Sequence, residues 1–408
     1  MLQLSKFPIK TLKTQPKISD NVSTSILLQA GFIRQTMAGV YNYTTLGLRV
    51  LRKIENIVRE EMDAYGSSEI LMSGISPRDI WDKTGRWDIE EYFKVPTYGD
   101  KYFRLNPTHE EIVVPLMKEF INSYKDSGAS VYQIQTKYRN EKRAKSGLLR
   151  GREFLMKDAY SFHIDNDEFE EYYEGMKGVY MKIFDRLGIG KDTHITLADG
   201  GAFTDKYSHE FQTVLSIGED DIYICDDCGL SHNKEIIDIE SGFLCTKCSS
   251  KNHTIKQATE IGNIFPLETK FTKVFGVKML DENNKEQDVL MGCYGIGISR
   301  LMGVIAEYFM EEKGIHWPDS VCPASHYVIV LGEENLDTAT QLAKELESQG
   351  HEVILDDRMG KKIGFGQKAG DCELYGIPNR IAVTSKTIEQ GGYELKKRGE
   401  EAQIISFS

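Results

Sequence analysis

Four groups of residues in this chain have the types and spacing to do chemistry. The first is the stretch YQIQTKYRNEKRAKSGLLRGREFLMKDAYSFH, from Tyr132 to His163. It begins as a strand in which Tyr132, Ile134, Thr136 and Tyr138 alternate with Gln133, Gln135, Lys137 and Arg139. A loop holding Ser146–Gly147 follows, then a second strand with Arg152, Phe154, Met156 and Asp158 on one face. Lys137, Arg139, Lys142, Arg143, Lys145, Arg150, Arg152 and Lys157 make the hairpin basic, while the whole chain carries a formal net charge of -12. Such a local reversal of charge points to a phosphate site. A solvated basic face is the plainer reading of a charge run; arginines at strand positions and an aromatic on their face weigh against it.

The second group is Thr108, His109, Glu110 and Glu111, at the entry of a helix in KYFRLNPTHEEIVVPLMKEFI. Capping, with acids favourably placed in the first turn, accounts for these residues. A carboxylate there could also receive an ammonium or imino group, which capping does not exclude. The third is DVLMGCYGIGISRLMGVIAEYF, a strand, a glycine-rich turn and a helix. Gly295 and Gly297 allow close approach to the backbone, and Arg300 faces the same mouth from the first turn. The fourth is Cys225-x-x-Cys228, sixteen residues, then Cys245-x-x-Cys248. Two such knuckles can wrap one tetrahedral zinc through four thiolates. A closed four-thiolate site leaves no position open for catalysis, so its expected role is structural, with His232 and His253 as less favoured substitute ligands.

These groups need elements to hold them. With 408 residues, 40% hydrophobic and 27% charged, the chain reads as an ordinary globular protein of two or three domains. The acidic balance excludes a chain that coats nucleic acid non-specifically and permits a local site for one polyanion. No apolar run approaches the ~20 residues of a membrane span. The N-terminus, MLQLSKFPIKTLKTQPKIS, is basic but lacks arginine and leads directly into a patterned segment, so it is read as folded protein rather than a transit peptide. Four of the seven cysteines are paired in CxxC motifs, the usage of a reducing compartment, and a cytoplasmic location is expected.

The clearest helix carries Leu48, Leu51, Ile54, Ile57, Val58 and Met62 at helical spacing, with Thr44 or Thr45 to cap its start and Gly66 to end it. The strand EILMSGI then runs into Pro77, as core or as a subunit interface. DEFEEYYEGMKGVYMKIFDRLGI is amphipathic, and GGAFTDKYSHEFQTVLSIGEDDIYI returns to strand. Beyond the prolines of HWPDSVCPASH, YVIVLG, DTATQLAKELESQG and HEVILDD alternate strand and helix in a separate α/β domain with no visible chemistry of its own.

Taken together, GLRVLRKIENIVREEM…ISP, NPTHEE, YQIQTKYRNEKR…REFLMKDAYSFH, SHEFQ and MGCYGIGISR resemble bacterial-type prolyl-tRNA synthetases over nearly the whole chain except the cysteine island. The resemblance implies an α+β fold: a class II antiparallel-sheet catalytic core, a small zinc-ribbon-like insertion and a C-terminal α/β anticodon-binding domain. The boundaries expected are 1–217 and 262–320 for the two parts of the core, 218–261 for the insertion and 321–408 for the last domain. It implies that proline and ATP form prolyl-adenylate with Mg2+, that the prolyl group passes to tRNA(Pro), and that the protein is a homodimer built around the segment ending at Pro77. In this family's terms Arg139 grips the α-phosphate and the substrate carboxylate, and Glu141 meets the adenine amino group. Phe154 stacks on the adenine, with Arg300 on its other side reaching the γ-phosphate. Arg150 and Arg152 are candidates for the phosphate tail. Thr108 and Glu110 match the family's threonine–x–glutamate, the glutamate accepting from the proline imino group. Asp158, Cys293 and His209 line or border the amino-acid pocket, and Lys142, Arg143 and Lys145 sit on a loop that can reach the acceptor end of tRNA.

Three departures accompany the resemblance. Where the family reads Gly-His-Ile-Phe-Gln-Leu-Gly-Thr-Lys, this chain has Gly262-Asn263-Ile264-Phe265-Pro266-Leu267-Glu268-Thr269-Lys270, which alters a wall of the amino-acid pocket. The cysteine island fills the interval where many relatives carry a large editing domain, so no editing in cis is expected. RMGKKIGFGQKAGDCELYGIP holds extra glycines where the family favours a steadier helix, and anticodon contacts stay unassigned. The alternative kept is a class II paralogue that forms an adenylate or senses an amino acid without charging tRNA.

Overall fold

The computed structural model describes residues 1–8, 10–16, 21–99, 101–142, 144, 146–238, 242–360 and 363–407. The chain divides into two compact units: Met1–Thr36, Tyr41–Lys53 and Ile305–Ser408 in one, Met37–Val40 and Ile54–Val304 in the other.

The second unit is organised by a nine-stranded sheet. Its strands in chain order are β1 (Ser68–Glu69), β2 (Ala129–Tyr138), β3 (Glu153–His163), β4 (Thr193–Ala198), β5 (Ser208–Val214), β6 (Asp220–Cys225), β7 (Ser231–Asn233), β8 (His253–Glu268) and β9 (Leu290–Gly297). In space they run β5-β4-β7-β6-β8-β9-β3-β2-β1, and β5 also pairs with β8. All pairings are antiparallel except β1–β2 and β4–β7. Register places side chains of one row on one face: Gln133 lies opposite Asp158, Asp158 opposite Gly295, Gly295 opposite Asn263 and Asn263 opposite Glu210. The other face is covered by the amphipathic helix α3 (Asn166–Arg186), whose Tyr173, Met176, Tyr180, Ile183 and Phe184 are buried. Asp165 caps it by accepting from the Glu168 amide at 2.9 Å. Three further helices matter: α1 (Thr45–Ala64), α2 (Glu110–Met117) and α4 (Ile298–Tyr308). In α1 Leu51, Ile54, Ile57, Val58 and Met62 are buried at the spacing the sequence predicts, whereas Leu48 is only half-buried and Val50, outside the predicted set, is buried.

The cysteine island is not a separate body. β6 and β7 add to the core sheet, and β8 is one 16-residue strand that starts beside Cys225 and ends in the core. The insertion expected at 218–261 is therefore an outgrowth of the sheet.

The first unit is a six-stranded sheet with helices. β10 (His326–Val330), β11 (Val353–Asp356) and β12 (Asn379–Val383) are parallel, and β13 (Gly392–Lys397) and β14 (Gln403–Ser406) close it antiparallel. Helix α5 (Leu336–Ser348) packs Ala339, Leu342, Ala343 and Leu346 onto Val328, Val353, Ile381 and Val383. Leu2–Gln3 adds a parallel edge strand to β11. This differs from the expectation that 1–217 is the first part of the core, since Met1–Thr36 and Tyr41–Lys53 group with Ile305–Ser408. The reason is local: Leu4 is buried and Ser5 donates to Asp357, which ties the first residues to the C-terminal sheet. The glycine-rich stretch forms helix α6 (Phe365–Tyr375) despite Gly366 and Gly370, with Gly376 at φ +73° ending it; Lys361 and Lys362 lie outside the described residues. No helix among the described residues is long and apolar enough to cross a membrane.

Candidate active site

The face of β2, β3, β9 and β8 that α3 leaves open forms the floor of a cavity of about 150 Å3. It has an arginine end and a carboxylate end. Arg139, Glu141, Arg150, Phe154, Glu260 and Arg300 line the first; Thr108, Glu110, Asp158, Phe203, Phe265 and Cys293 line the second.

At the arginine end, β2 delivers Arg139 and β3 delivers Phe154, and the Arg139 guanidinium lies over the Phe154 ring at 5.2 Å. Arg150 donates to Glu141 at 2.8 Å and to Glu219 at 3.2 Å. Arg300, on the first turn of α4, donates to the carbonyls of Leu149 and Glu260 at 2.7 Å each and to the Glu260 carboxylate at 3.1 Å. Ser299 beside it accepts from the Leu155 amide at 2.8 Å, which ties this helix start to β3. A planar aromatic under one guanidinium, in a cavity lined by two further arginines, suits a nucleotide. Arg152 does not line the cavity. Its guanidinium is taken up by the backbone oxygens of Glu141 and Ala38, both at 3.1 Å, so the residue expected at the phosphate tail instead fixes the loop that carries Glu141.

The carboxylate end is dry. Thr108 does not cap α2; its hydroxyl donates to Glu110 Oε2 at 2.5 Å. Cys293 Sγ donates to Glu110 Oε1 at 3.3 Å, and Arg86 Nη1 donates to Glu110 Oε2 at 3.3 Å and Glu111 Oε1 at 3.0 Å. Two buried carboxylates share one guanidinium: burial, opposed by Arg86 and aided by Glu110, pushes Glu111 up to about 7. This end is built to take a further positive charge. Burial first, then Glu110 and Asp158, also push the Cys293 thiol up, so it is a neutral packing group.

Beneath the floor lies a buried polar network. Lys137 Nζ sits 2.7 Å from Asp158 Oδ1 and donates to His109 Nδ1 at 2.5 Å. Gln133 and Tyr160 donate to Asp158 Oδ2 at 3.0 and 2.8 Å. His109 Nε2 donates to the Ser73 carbonyl at 3.0 Å, which leaves Nδ1 as acceptor, and burial with Lys137 holds this imidazole down to about 4. Burial favours a neutral Asp158, but Lys137, His109 and Gln133 outweigh it and hold the carboxyl below its ordinary value.

Two lysines counted in the basic hairpin thus leave the phosphate site. Lys137 is the buried partner of Asp158, and Lys157 points to the opposite face, where it donates to Tyr180 Oη at 2.6 Å and the Tyr294 carbonyl at 3.1 Å. Both turn inward because the strand pleat alternates at a place where both faces are covered. Lys142 pairs with Glu90 at 2.9 Å, and Arg143 and Lys145 lie outside the described residues. His209 is likewise not in the cavity. It faces the α3 side of β5, where it meets Tyr173 Oη at 2.9 Å and Lys177 Nζ at 3.1 Å. Its neighbour Glu210 takes the cavity-side row instead, behind Asn263 Nδ2 at 3.4 Å. Of the altered segment, Gly262, Asn263 and Phe265 reach the cavity, and Pro266 and Glu268 do not. Arg86, Phe203 and Glu260 were not foreseen: each is a single residue of ordinary type with no spacing signal.

The four cysteine sulfurs of the island lie within 4.8 Å of one another, with Cys225–Cys248 and Cys228–Cys245 at 3.5 Å. A tetrahedron of ~2.3 Å zinc–sulfur bonds has edges of about 3.8 Å. The knuckles are built alike: the Gly229 amide donates to the Cys225 carbonyl and the Ser249 amide to the Cys245 carbonyl, each at 2.9 Å, with Gly229 at φ +74° and Ser249 at φ +57°.

Comparisons with known proteins show what the chain as a whole is similar to. Residues 93–309 match the model of the tRNA synthetase class II core domain (G, H, P, S and T), and residues 326–407 match that of the anticodon binding domain. The proline--tRNA ligase of Wolbachia sp. subsp. Drosophila simulans is 36% identical over 412 residues, covering 97% of this chain and 95% of that protein. That of Leptospira interrogans is 30% identical over 561 residues, covering 99% of this chain and 96% of that protein. The second alignment is longer than the 408 residues of this chain, so the Leptospira protein carries sequence without counterpart here. Prolyl-tRNA synthetase of Cryptosporidium parvum, solved with L-proline and AMP, shares the fold at a TM-score of 0.76 and 17% identity, over 97% of this chain and 74% of that one. The Giardia lamblia enzyme, solved with prolyl-adenylate, does so at 0.73 and 20%, over 94% and 72%.

Proposed function

The chain belongs to the proline--tRNA ligase family of class II aminoacyl-tRNA synthetases, and we infer that it activates proline with ATP and charges tRNA(Pro). One observation carries the chemistry: a single cavity joins an arginine–aromatic end to a buried carboxylate end across strand β3. The first suits ATP and the second the secondary ammonium of proline, which Glu110 receives with Thr108, beside Asp158 and Cys293.

In the first step a proline carboxylate oxygen attacks the α-phosphorus, the bond to the β-phosphate oxygen breaks, and pyrophosphate leaves. No protein nucleophile is needed; alignment and charge neutralisation are. Arg139, at the arginine end, is the group that meets both the carboxylate and the α-phosphate. Phe154 stacks the adenine against Arg300, which reaches the γ-phosphate, and Glu141, held by Arg150 and by the loop bonds of Arg152, meets the adenine amino group. Glu260 and Glu219, partly exposed carboxylates beside Arg300 and Arg150, are the hard oxygen donors suited to Mg2+, which neutralises phosphate charge when bound. In the second step a hydroxyl of the terminal ribose of tRNA attacks the acyl carbon and AMP leaves. Pyrophosphate exchange across all twenty amino acids, followed by charging of tRNA(Pro), tests this reading. Exchange with proline alone is expected; proline failing while another amino acid succeeds overturns the specificity.

Three further parts belong to the reading. Cys225, Cys228, Cys245 and Cys248 hold a structural zinc that closes the two knuckles; metal analysis of the purified protein should give about one zinc per chain, and none would refute it. Leu71, 77% exposed, and Ile75, 53% exposed, precede Pro77 and support a homodimer built on that segment. Without the large insertion, the protein should not deacylate alanyl-tRNA(Pro) in a location we take to be cytoplasmic.

A further inference from the structure

The steps above make no use of Arg86, a buried cation behind the carboxylate end. Arg86 follows the short helix Arg78–Thr84 and is 5% exposed. It does not line the cavity, yet it touches two groups that do. Its Nη1 donates to Glu110 Oε2 at 3.3 Å, and its guanidinium carbon lies 4.8 Å from the centre of the Phe203 ring. The rest of the side chain is clamped: Nη1 also donates to both oxygens of Glu111, at 3.0 and 3.3 Å, and Nη2 to Tyr92 Oη at 3.0 Å. Glu111 is fixed in turn by the Thr84 hydroxyl at 2.8 Å.

This arrangement has two consequences for the pocket. Arg86 and Thr108 both engage Glu110 Oε2, which leaves Oε1, met by the Cys293 thiol, to receive the substrate's ammonium. Phe203 sits in the turn after β4, outside any strand or helix. It is held by the Arg86 guanidinium on one side and by Phe265, at 4.8 Å and 35° between planes, on the other. Phe203 and Phe265 are the aromatic wall of the carboxylate end.

We infer that Arg86 is a positioning residue of the amino-acid pocket, one buried cation that sets both the orientation of Glu110 for the secondary ammonium and the place of Phe203 against the ring. This rests on the proline-activating reading above. Charge recognition and ring-size recognition are then coupled, because the same guanidinium serves both and cannot shift toward one without leaving the other.

The test uses the full chain in pyrophosphate exchange with L-proline, the four-membered azetidine-2-carboxylate and the six-membered pipecolate, with thermal unfolding alongside. Arg86→Lys keeps the charge and loses the planar fork. It should raise KM for proline at least about tenfold, leave KM for ATP within about twofold, and narrow the preference for proline over the two analogues by about threefold or more. A purely structural role would lower the unfolding midpoint and the active fraction while leaving both KM values and the preference unchanged; a folded Arg86→Lys protein behaving so overturns the inference. Should that variant not fold, Phe203→Leu, which removes no ion pair, decides the case. Relaxed ring-size preference with KM for ATP unchanged supports the inference, and unaltered preference overturns it. Wild-type protein that exchanges no proline sinks the functional reading instead, so the two failures are distinguishable.

Discussion

The two ends of the cavity use the same chemical groups in different surroundings. At the arginine end the Arg150 side chain is 45% exposed and its carboxylate partners are reached by water. At the carboxylate end Glu110, Glu111 and Lys137 are fully buried, and Arg86 and Asp158 nearly so. Ion pairs near water contribute little to stability because solvent screens them and the side chains pay entropy to meet. A dry pair whose partner is removed leaves a charge with nowhere to go. The arginine end should therefore be separable from folding, whereas the carboxylate end combines recognition and structure in the same atoms.

The largest effect expected from this contrast is kinetic. Arg139→Ala should lower pyrophosphate exchange about a thousandfold, a loss of roughly 4 kcal/mol of transition-state stabilisation, with an unfolding midpoint close to wild type. Near-normal exchange would refute its assignment. Next, Asp158→Asn strands Lys137 in the interior and should cost about 3–5 kcal/mol in urea unfolding. Arg150→Gln, at the open end, should cost under about 1 kcal/mol after screening. Equal costs for the two would erase the distinction between the ends.

The dry end also predicts a pH dependence. His109 titrates at about 4 when folded, against an ordinary 6.5. Below 6.5 the unfolded chain binds a proton that the folded chain refuses, so this stabilisation is full above 6.5 and is lost as pH falls toward 4. Burial holds His209 down to about 4 as well, with the same sign. Each should contribute a slope of about 1.4 kcal/mol per pH unit in that window, opposed between 4.5 and about 7 by Glu111, whose raised carboxyl has the opposite sign. A His109→Gln protein should show a shallower decline, and an unchanged slope would exclude His109 as a cause. A small effect of the opposite sign is expected at Glu268, a bulge residue at φ +52° where the family pattern has glycine. Its half-exposed ion pair with Lys206 offsets little, and Glu268→Gly should gain about 1 kcal/mol by relieving left-handed strain. A lower midpoint would show that the ion pair outweighs it.

Legibility in the sequence followed locality. Thr108 and Glu110 are two residues apart, Arg139 and Glu141 likewise, and the cysteines come in CxxC pairs; the structure brings each set together because short spacing on one element leaves little freedom. The alternation of β2 and β3 also put Phe154, Met156 and Asp158 on one face, as register confirms. Counting charge along the hairpin misled, since Lys137 and Lys157 add to a sum but sit in the interior, on opposite faces. The capping assigned to Thr108 failed for a related reason: its hydroxyl found a side-chain acceptor two residues on instead of an amide. His209 and Glu210 are neighbours in sequence, and only the pleat decides which of them faces the cavity.

By itself, then, the sequence determined which chemistry is available: arginines and an aromatic for a nucleotide, a threonine–glutamate pair for an ammonium, and four thiols for a metal. Those are properties of residue type and of spacing within one or two turns or strands. Only the tertiary structure decided that Arg86, more than twenty residues before Glu110, stands behind it, that Phe203 comes from a distant turn to wall the same pocket, and that Leu2–Gln3 completes the sheet of the C-terminal unit. Such contacts join residues far apart in the chain. Their geometry is set by how strands pair and which faces are covered, and no local pattern of residues encodes it.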